Sequence, residues 1–184
     1  MAAKIAETPF RGLYIIDPQV FGDNRGYFCE TMNLGWDVDF PAFVQDNESL
    51  SSYGVVRGLH FQKGDAAQAK LVSVAYGRVL DVVVDLRPEE PTFGQHFSTE
   101  LSDSKHRRML IPRGFAHGFS VLSEKALFQY KCDNFYNPTA EDGIAWNDPS
   151  LAIDWKLPAE DIILSDRDRA RQSFAEFVSR NIKR

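Results

Sequence analysis

Two short stretches concentrate the side chains that could perform chemistry. Residues 54–62, Gly-Val-Val-Arg-Gly-Leu-His-Phe-Gln, place Arg57 and His60 among strand-forming residues and two glycines. Residues 111–119, Ile-Pro-Arg-Gly-Phe-Ala-His-Gly-Phe, contain His117 in a similar setting. Imidazoles serve as metal ligands or as acid–base groups near neutral pH. The two stretches therefore predict a metal site, a substrate site or a pair of structural histidines.

The spacing around these histidines argues against a metal. Residues 112–117, Pro-Arg-Gly-Phe-Ala-His, fit the second cupin motif, and Gly54 and His60 fit the start of the first. Metal-binding cupins have a second His where this chain has Gln62, and a Glu where it has Lys70. An ammonium group at the carboxylate position would repel a divalent cation. We therefore expect no metal and a cationic pocket for an organic ligand, unless Lys70 is simply a solvated lysine at a strand start.

Plain alternation places the side chains of Arg57 and His60 on opposite faces of one strand. Both can line the same pocket only if the strand bulges between them, and Gly58 would permit a bulge. The sequence therefore makes a bulge at Gly58 a structural condition for a shared site.

Composition bounds the class of protein. The chain has 184 residues, of which 43% are hydrophobic and 26% charged, and we expect one domain over residues 1–184. The net charge of -5 argues against a general role on nucleic acid or on a membrane surface. The cysteines, Cys29 and Cys132, have no metal-binding spacing and suit a reducing compartment, and no apolar run reaches membrane length. A cytoplasmic protein is the expectation.

The elements that must position these residues are mostly short strands. Residues 10–17 read as a first strand, and residues 70–76 and 78–86 are Val- and Leu-rich strands joined at Gly77. Residues 126–133 alternate strictly, and a helical period appears only after residue 165. Eight or more short strands with one late helix predict a mainly β fold, a jelly-roll β-barrel of cupin type with a short C-terminal helical segment.

Six segments in succession resemble the dTDP-4-dehydrorhamnose 3,5-epimerase family, and the resemblance runs from about residue 9 to residue 168. The segments are 23–30, 45–49, 57–62, 114–119, 143–149 and 164–168. The resemblance implies epimerisation at C3 and C5 of dTDP-4-keto-6-deoxy-glucose, giving dTDP-4-keto-L-rhamnose. Both carbons are α to the C4 ketone, so the reaction needs a base, an acid and a cation beside the enolate oxygen. It implies no metal and no cofactor.

The same resemblance implies catalytic roles for four residues. His60 would be the base and Asp168 the carboxylate that orients its imidazole. Tyr130 would be the acid on the opposite face of the sugar, and Lys70 would stabilise the enolate. From pattern alone, Asp168 also reads as an acid at a helix start, and Tyr130 also reads as an interior aromatic.

The resemblance further implies a substrate-binding set and a dimer. Arg57 and His117 would bind the sugar and the diphosphate, although His117 alone also reads as a structural histidine. The remaining positions that match the family's nucleotide-sugar contacts are Arg25, Phe28, Glu30, Gln45, Asn47, Tyr136, Glu141 and Arg167, with Phe28 and Tyr136 beside the thymine. The family forms homodimers whose N-terminal strands pair across the interface, so a second chain would supply some contacts.

Two alternatives stay open on the sequence. A single-site 3- or 5-epimerase, or a ketoisomerase of a related deoxysugar pathway, would share many of the same sequence motifs. A non-catalytic sugar-binding cupin would need no acid–base pair, so the joint presence of His60, Tyr130 and Asp168 favours an enzyme.

Overall fold

The chain folds into two antiparallel β-sheets that pack face to face, and the computed structural model describes residues 2–182. The six-stranded sheet contains, in spatial order, β1 (Ala3–Glu7), β2 (Tyr14–Pro18), β10 (Arg108–Ile111), β7 (Lys70–Tyr76), β12 (Lys125–Cys132) and β5 (Gln45–Ser52). The five-stranded sheet contains β13 (Glu141–Gly143), β6 (Val56–Gln62), β11 (Phe115–Val121), β8 (Arg78–Asp85) and β9 (His96–Ser102). A separate hairpin pairs β3 (Val20–Asp23) with β4 (Gly26–Cys29).

Of three hydrophobic clusters among the described residues, one lies between the inner faces of the two sheets and adjoins the cavity. Alternate residues of each strand point inward, so β7 contributes Val72 and Val74 and β12 contributes Phe128. Phe119 of β11 stacks on Phe128 with ring centroids 4.3 Å apart, which joins the two sheets directly. The predicted alternation of β12 is confirmed, since Ala126, Phe128 and Cys132 are all buried.

The mainly β, jelly-roll prediction is confirmed, with one difference in closure. Among residues 2–182 the two sheets are not hydrogen-bonded into a closed barrel, and they form an open sandwich. The turn at Gly77 carries the chain from β7 in one sheet to β8 in the other, and this turn requires the left-handed backbone of Gly77. The interior pocket therefore opens between the sheets and not along a closed axis.

The first predicted strand starts later than the sequence indicates. Phe10 and Leu13 are buried, as strand residues would be, but the amide of Leu13 donates to the carbonyl of Phe10 in a tight turn. Gly12 has a positive φ within this turn, so the extended conformation begins only at Tyr14.

Two helices close the described chain. Ser165 caps α1 (Asp166–Arg169) by accepting a hydrogen bond from the amide of Asp168, which confirms the predicted helix start. Ser173 and Glu176 form a capping box at the start of α2 (Phe174–Asn181). Phe177 of α2 packs on Phe61 of β6 with ring centroids 5.4 Å apart, on the outer face of the five-stranded sheet. Nowhere in the described chain is there a helix with the length and apolar character needed to cross a bilayer.

Candidate active site

The bulge required by the sequence is present in β6. His117 pairs with His60 and Phe119 pairs with Arg57, so Gly118 of β11 faces two residues of β6. The extra residue brings Arg57 and His60 to the same side of the strand, where both line one cavity. A Cβ atom at position 58 would lie 2.5 Å from Cα of Gly118, so only glycine fits at this crossing.

The cavity between the sheets is small and combines cationic with aromatic groups. Its volume is about 150 Å³. It is lined by Ser49, Arg57, His60, Lys70, His117, Gly118, Phe119, Phe128 and Tyr130. Arg57 is held in place because its Nε donates to Oγ of Ser51 at 3.1 Å. The cavity thus gathers three predicted catalytic residues and two predicted binding residues.

His60 is hydrogen-bonded through Nε2 to Oδ1 of the buried Asp168. The other oxygen, Oδ2, accepts a hydrogen bond from Ser165 at 2.8 Å. Burial alone would raise the pKa of Asp168, but the hydrogen bond and charge of His60, the Ser165 hydroxyl and the charge of Arg171 hold that pKa below its usual value. An ionised Asp168 assigns the proton of neutral His60 to Nε2, and Nδ1 then carries a lone pair that can take a proton.

Tyr130 and Lys70 adjoin each other on neighbouring strands. The Nζ atom of Lys70 lies 5.8 Å from the centroid of the Tyr130 ring. Burial raises the pKa of Tyr130, with Cys132 adding to the rise and Arg57 opposing it, so the phenol keeps its proton at neutral pH. Burial lowers the pKa of Lys70 from its ordinary value. The phenol can therefore donate a proton, and an anion formed in the cavity would favour the charged form of Lys70.

His117 forms a second histidine–carboxylate pair, and its partner was not found in the sequence. Nε2 of His117 lies 3.0 Å from both carboxylate oxygens of Asp81, and both side chains are buried. Burial lowers the pKa of His117, Asp81 opposes that shift, and Lys70 and His60 reinforce it. The one signal for Asp81 is its position as the lone acid in the apolar run Val79-Leu80-Asp81-Val82-Val83-Val84.

The two positions that distinguish this chain from metal-binding cupins face different surroundings. The carboxamide of Gln62 is buried and bonded to three backbone groups: the carbonyls of Ala66 and Phe135 and the amide of Asn137. Gln62 does not line the cavity, whereas Lys70 does. Within residues 2–182, no cluster of three or more His, Cys, Asp or Glu side chains is arranged to hold an ion.

The predicted nucleotide contacts near the end of β6 form one hydrogen-bonded network. Gln45 accepts from the amide of Tyr136 at 2.9 Å and donates to Asn47 at 2.8 Å. The hydroxyl of Tyr136 donates to Glu141. Glu141 also accepts from Arg167 at 2.8 Å, so five predicted binding residues meet on one surface.

Arg171 also belongs to this network, although no sequence pattern predicted a role for it. It donates to Oε1 of Glu141 at 2.6 Å. Burial alone would raise the pKa of Glu141, but hydrogen bonds from Tyr136 and Arg171 and the charge of Arg167 hold it below its usual value. Glu141 therefore stays ionised and keeps the two arginines in place.

Three predicted binding residues lie neither in the cavity lining nor in the network around Glu141. Arg25 is exposed on the β3–β4 hairpin and forms an ion pair with Asp23 at 2.6 Å. Phe28 lies on the same hairpin and is 58% exposed. Glu30 follows β4 and accepts a hydrogen bond from Asn33 at 3.0 Å.

Comparison with known proteins covers nearly all of the chain. A family model described as dTDP-4-dehydrorhamnose 3,5-epimerase matches residues 7–176. The dTDP-4-dehydrorhamnose 3,5-epimerase of Pseudomonas aeruginosa is 49% identical over 181 residues, which are 94% of this chain and 97% of the relative.

Solved structures agree in fold and sequence. The crystal structure of dTDP-4-dehydrorhamnose 3,5-epimerase from Elizabethkingia anophelis has a TM-score of 0.88 and 50% identity, and the match covers 96% of this chain and 98% of that one. The dTDP-6-deoxy-D-glucose-3,5-epimerase of Legionella pneumophila, solved in complex with dTDP-4-keto-L-rhamnose, has a TM-score of 0.87 and 46% identity over 93% of this chain and 92% of its own. The resemblance seen in the sequence is confirmed, and the chain belongs to the dTDP-4-dehydrorhamnose 3,5-epimerase family of isomerases.

Proposed function

We propose that this chain inverts C3 and C5 of dTDP-4-keto-6-deoxy-glucose to give dTDP-4-keto-L-rhamnose, as in dTDP-L-rhamnose biosynthesis. The observation that carries the proposal is the meeting of His60 and Tyr130 in one cavity beside Lys70. One group can accept a proton and the other can donate one, as epimerisation requires. A binding module would need neither the Asp168 carboxylate behind His60 nor a half-buried phenol in the cavity.

The proton movements follow from this geometry. Nδ1 of His60 removes the proton from C3 or C5, and the electrons of that bond pass to the C4 oxygen to form an enolate. Lys70 stabilises the enolate by charge. Tyr130 then donates its proton to the same carbon from the opposite face. Return of one proton to the phenol and release of one from the imidazole, both through solvent, complete the cycle.

The binding roles follow from charge and position. Arg57 enters the cavity beside His60 and suits the diphosphate, since guanidinium groups bind phosphate oxygens in pairs. His117, held by Asp81, donates to or accepts from a sugar hydroxyl. The Gln45, Asn47, Tyr136, Glu141 and Arg167 network lies outside the cavity lining and takes the nucleoside, with Tyr136 beside the base.

Proton exchange with solvent tests the function directly. With dTDP-4-keto-6-deoxy-glucose in deuterated water, we expect deuterium at both C3 and C5 and inversion at both, measured by proton NMR. The rates should be unchanged in a parallel reaction with EDTA. Exchange and inversion at one carbon only would assign a single-site epimerase, and movement of the ketone from C4 to C3 would assign a ketoisomerase. Absence of exchange would leave only a binding role.

We also propose that the protein is a homodimer in which N-terminal strands are exchanged. The β3–β4 hairpin exposes apolar side chains, with Tyr27 61% and Phe28 58% exposed. The outer face of the six-stranded sheet carries a second apolar row, in which Leu50 and Tyr76 flank Leu127 in register. A partner's hairpin and sheet would cover both surfaces. Arg25 and Phe28 of one chain would then reach the cavity of the other.

A mixed dimer tests whether the hairpin serves the partner's site. His60→Ala and Arg25→Ala chains are purified separately, each with low activity, and then unfolded together and refolded. If Arg25 acts in the partner's site, each mixed dimer has one intact site, and about a quarter of the wild-type activity should return by random C2 pairing. If Arg25 acts in its own chain, no mixed dimer has an intact site, and activity should stay at the level of the separate variants.

Two further expectations from the sequence stay predictions. The single domain over residues 1–184 would be tested by limited proteolysis, which should leave the described sandwich uncut. The cytoplasmic location would be tested by cell fractionation. The free thiols of Cys29 and Cys132 suit a reducing compartment.

A further inference from the structure

Arg171 lies between two groups of site residues, the His60–Asp168 pair and the network around Glu141. It follows α1 by two residues and its side chain is only 12% exposed. On one side its Nη2 donates to Glu141 at 2.6 Å, and on the other its Nε lies 3.9 Å from Oδ1 of Asp168. Oδ1 is the oxygen that is bonded to His60. Among residues 2–182, Arg171 is therefore the cation that lies next to both the His60–Asp168 pair and the nucleotide network.

The fold makes room for this arginine. A Cβ atom at Gly143 of β13 would lie 2.8 Å from both Cδ and Nε of Arg171, so the absence of a side chain there creates the space. Nε of Arg171 is buried and has no hydrogen-bond partner within residues 2–182. The guanidinium is thus anchored at one end by Glu141 and presents its other end to Asp168 as a charge.

We propose that Arg171 is a positioning residue that keeps the His60–Asp168 pair in its unprotonated, proton-accepting state and couples that pair to the Glu141 network. The proposal rests on the function proposed above. Arg171 touches neither C3 nor C5 in this role, because it acts through Asp168 and Glu141. Arg167 cannot replace it, since Arg167 shares Glu141 but is 66% exposed and forms no ion pair with Asp168 among the described residues.

The direction of the pH effect follows from the charges around the pair. The other titratable groups that surround it are Arg57, Lys70, His117 and Tyr130 across the cavity, and Glu141 and Arg167 beyond Arg171. His60 and Asp168 form one hydrogen-bonded unit. A cation 3.9 Å from the carboxylate disfavours proton uptake by that unit. Removal of the cation raises the pH at which the pair takes up a proton, so the acid limb of activity moves to higher pH.

The first experiment compares Arg171→Gln with Arg171→Lys. Gln keeps a donor for Glu141 but removes the charge, and Lys restores the charge. We expect the acid limb of kcat/KM to move up by about one pH unit in the Gln variant and to return toward the wild type in the Lys variant. Arg169→Gln, an exposed neighbour on α1, is the matched control and should leave the profile unchanged. Equal profiles in wild type and Arg171→Gln would overturn the proposal.

The second experiment measures the protonation of the His60–Asp168 pair in the absence of substrate turnover. In protein labelled with ¹⁵N at histidine, the His60 resonances report which ring nitrogen carries the proton, and we expect the midpoint of protonation to rise in Arg171→Gln. This outcome stands even if the substrate assignment fails. An unshifted midpoint in a variant with unchanged thermal unfolding would overturn the proposal, whatever the activity. A shifted midpoint together with no wild-type exchange would overturn the proposed function alone.

Discussion

Replacement of His60 by alanine is expected to remove deuterium exchange at both C3 and C5. Loss of a general base slows a reaction by roughly 10²–10⁴-fold. Here the loss should lie at the upper end, because no other side chain in the cavity lining is backed by Asp168. Both carbons should be affected equally, since one base serves both proton removals. The measurement is the deuterium content of each carbon by proton NMR after single-turnover incubation.

The control for this variant is a second strand histidine. His96 begins β9 and does not line the cavity, so His96→Ala should retain the wild-type exchange rate. His96→Ala should unfold at a temperature close to that of the wild type. His60→Ala should unfold at a lower temperature but remain folded in the assay, because the buried Asp168 loses its bond to His60 and keeps the hydrogen bond from Ser165. Full exchange by a folded His60→Ala protein would show that another group is the base.

The strands and their inward faces could be predicted because the patterns are local. Strict alternation in residues 126–133 placed Ala126 and Phe128 inward, and the structure has them there. From the sequence, a shared pocket for Arg57 and His60 could be predicted only on the condition that the strand bulges between them. Register in a β-sheet depends on the partner strand, and the bulge at Gly58 exists because Gly118 crosses it on β11.

The partners of the site residues were harder to predict, because they are set by tertiary packing. Asp81 lies on β8 and meets His117 only because those strands pair in the sheet. Arg171 meets Glu141 across a separation of 30 residues, and it does so because α1 ends at Arg169. Neither contact corresponds to a residue spacing that could be recognised in the sequence. A lone acid in an apolar strand is the strongest available signal for the first contact, and nothing comparable marks the second.

Whether the two sheets close into a barrel could not be predicted from local sequence patterns either. Short alternating strands are shared by barrels and by sandwiches, which differ only in whether edge strands pair. In this chain β1 and β5 form the edges of one sheet and β13 and β9 the edges of the other. The pocket does not depend on closure, because His60, Lys70 and Tyr130 come from strands that are not at the edges of the two sheets.

Replacement of Tyr130 by phenylalanine is expected to separate exchange from inversion. The substitution removes only the hydroxyl, so the ring keeps its contact with Phe128, 6.1 Å away between centroids, and with Lys70. His60 can still remove a proton and return a deuteron to the same face, which labels the carbon without inverting it. Inversion requires a donor on the opposite face, and we expect it to fall by roughly 10²–10⁴-fold while exchange falls much less.

The pH dependence of this variant supplies an independent check. Burial raises the pKa of Tyr130, so in the wild type the donor form persists at neutral pH and is lost only in strongly alkaline solution. Tyr130→Phe should therefore lose any alkaline limb of the inversion rate and keep the acid limb that belongs to the His60–Asp168 pair. Tyr53→Phe, which removes an exposed hydroxyl bonded to Asp161, should change neither. If exchange and inversion fell by the same factor in Tyr130→Phe, the phenol would be acting before proton removal, and its assignment as the acid would be wrong.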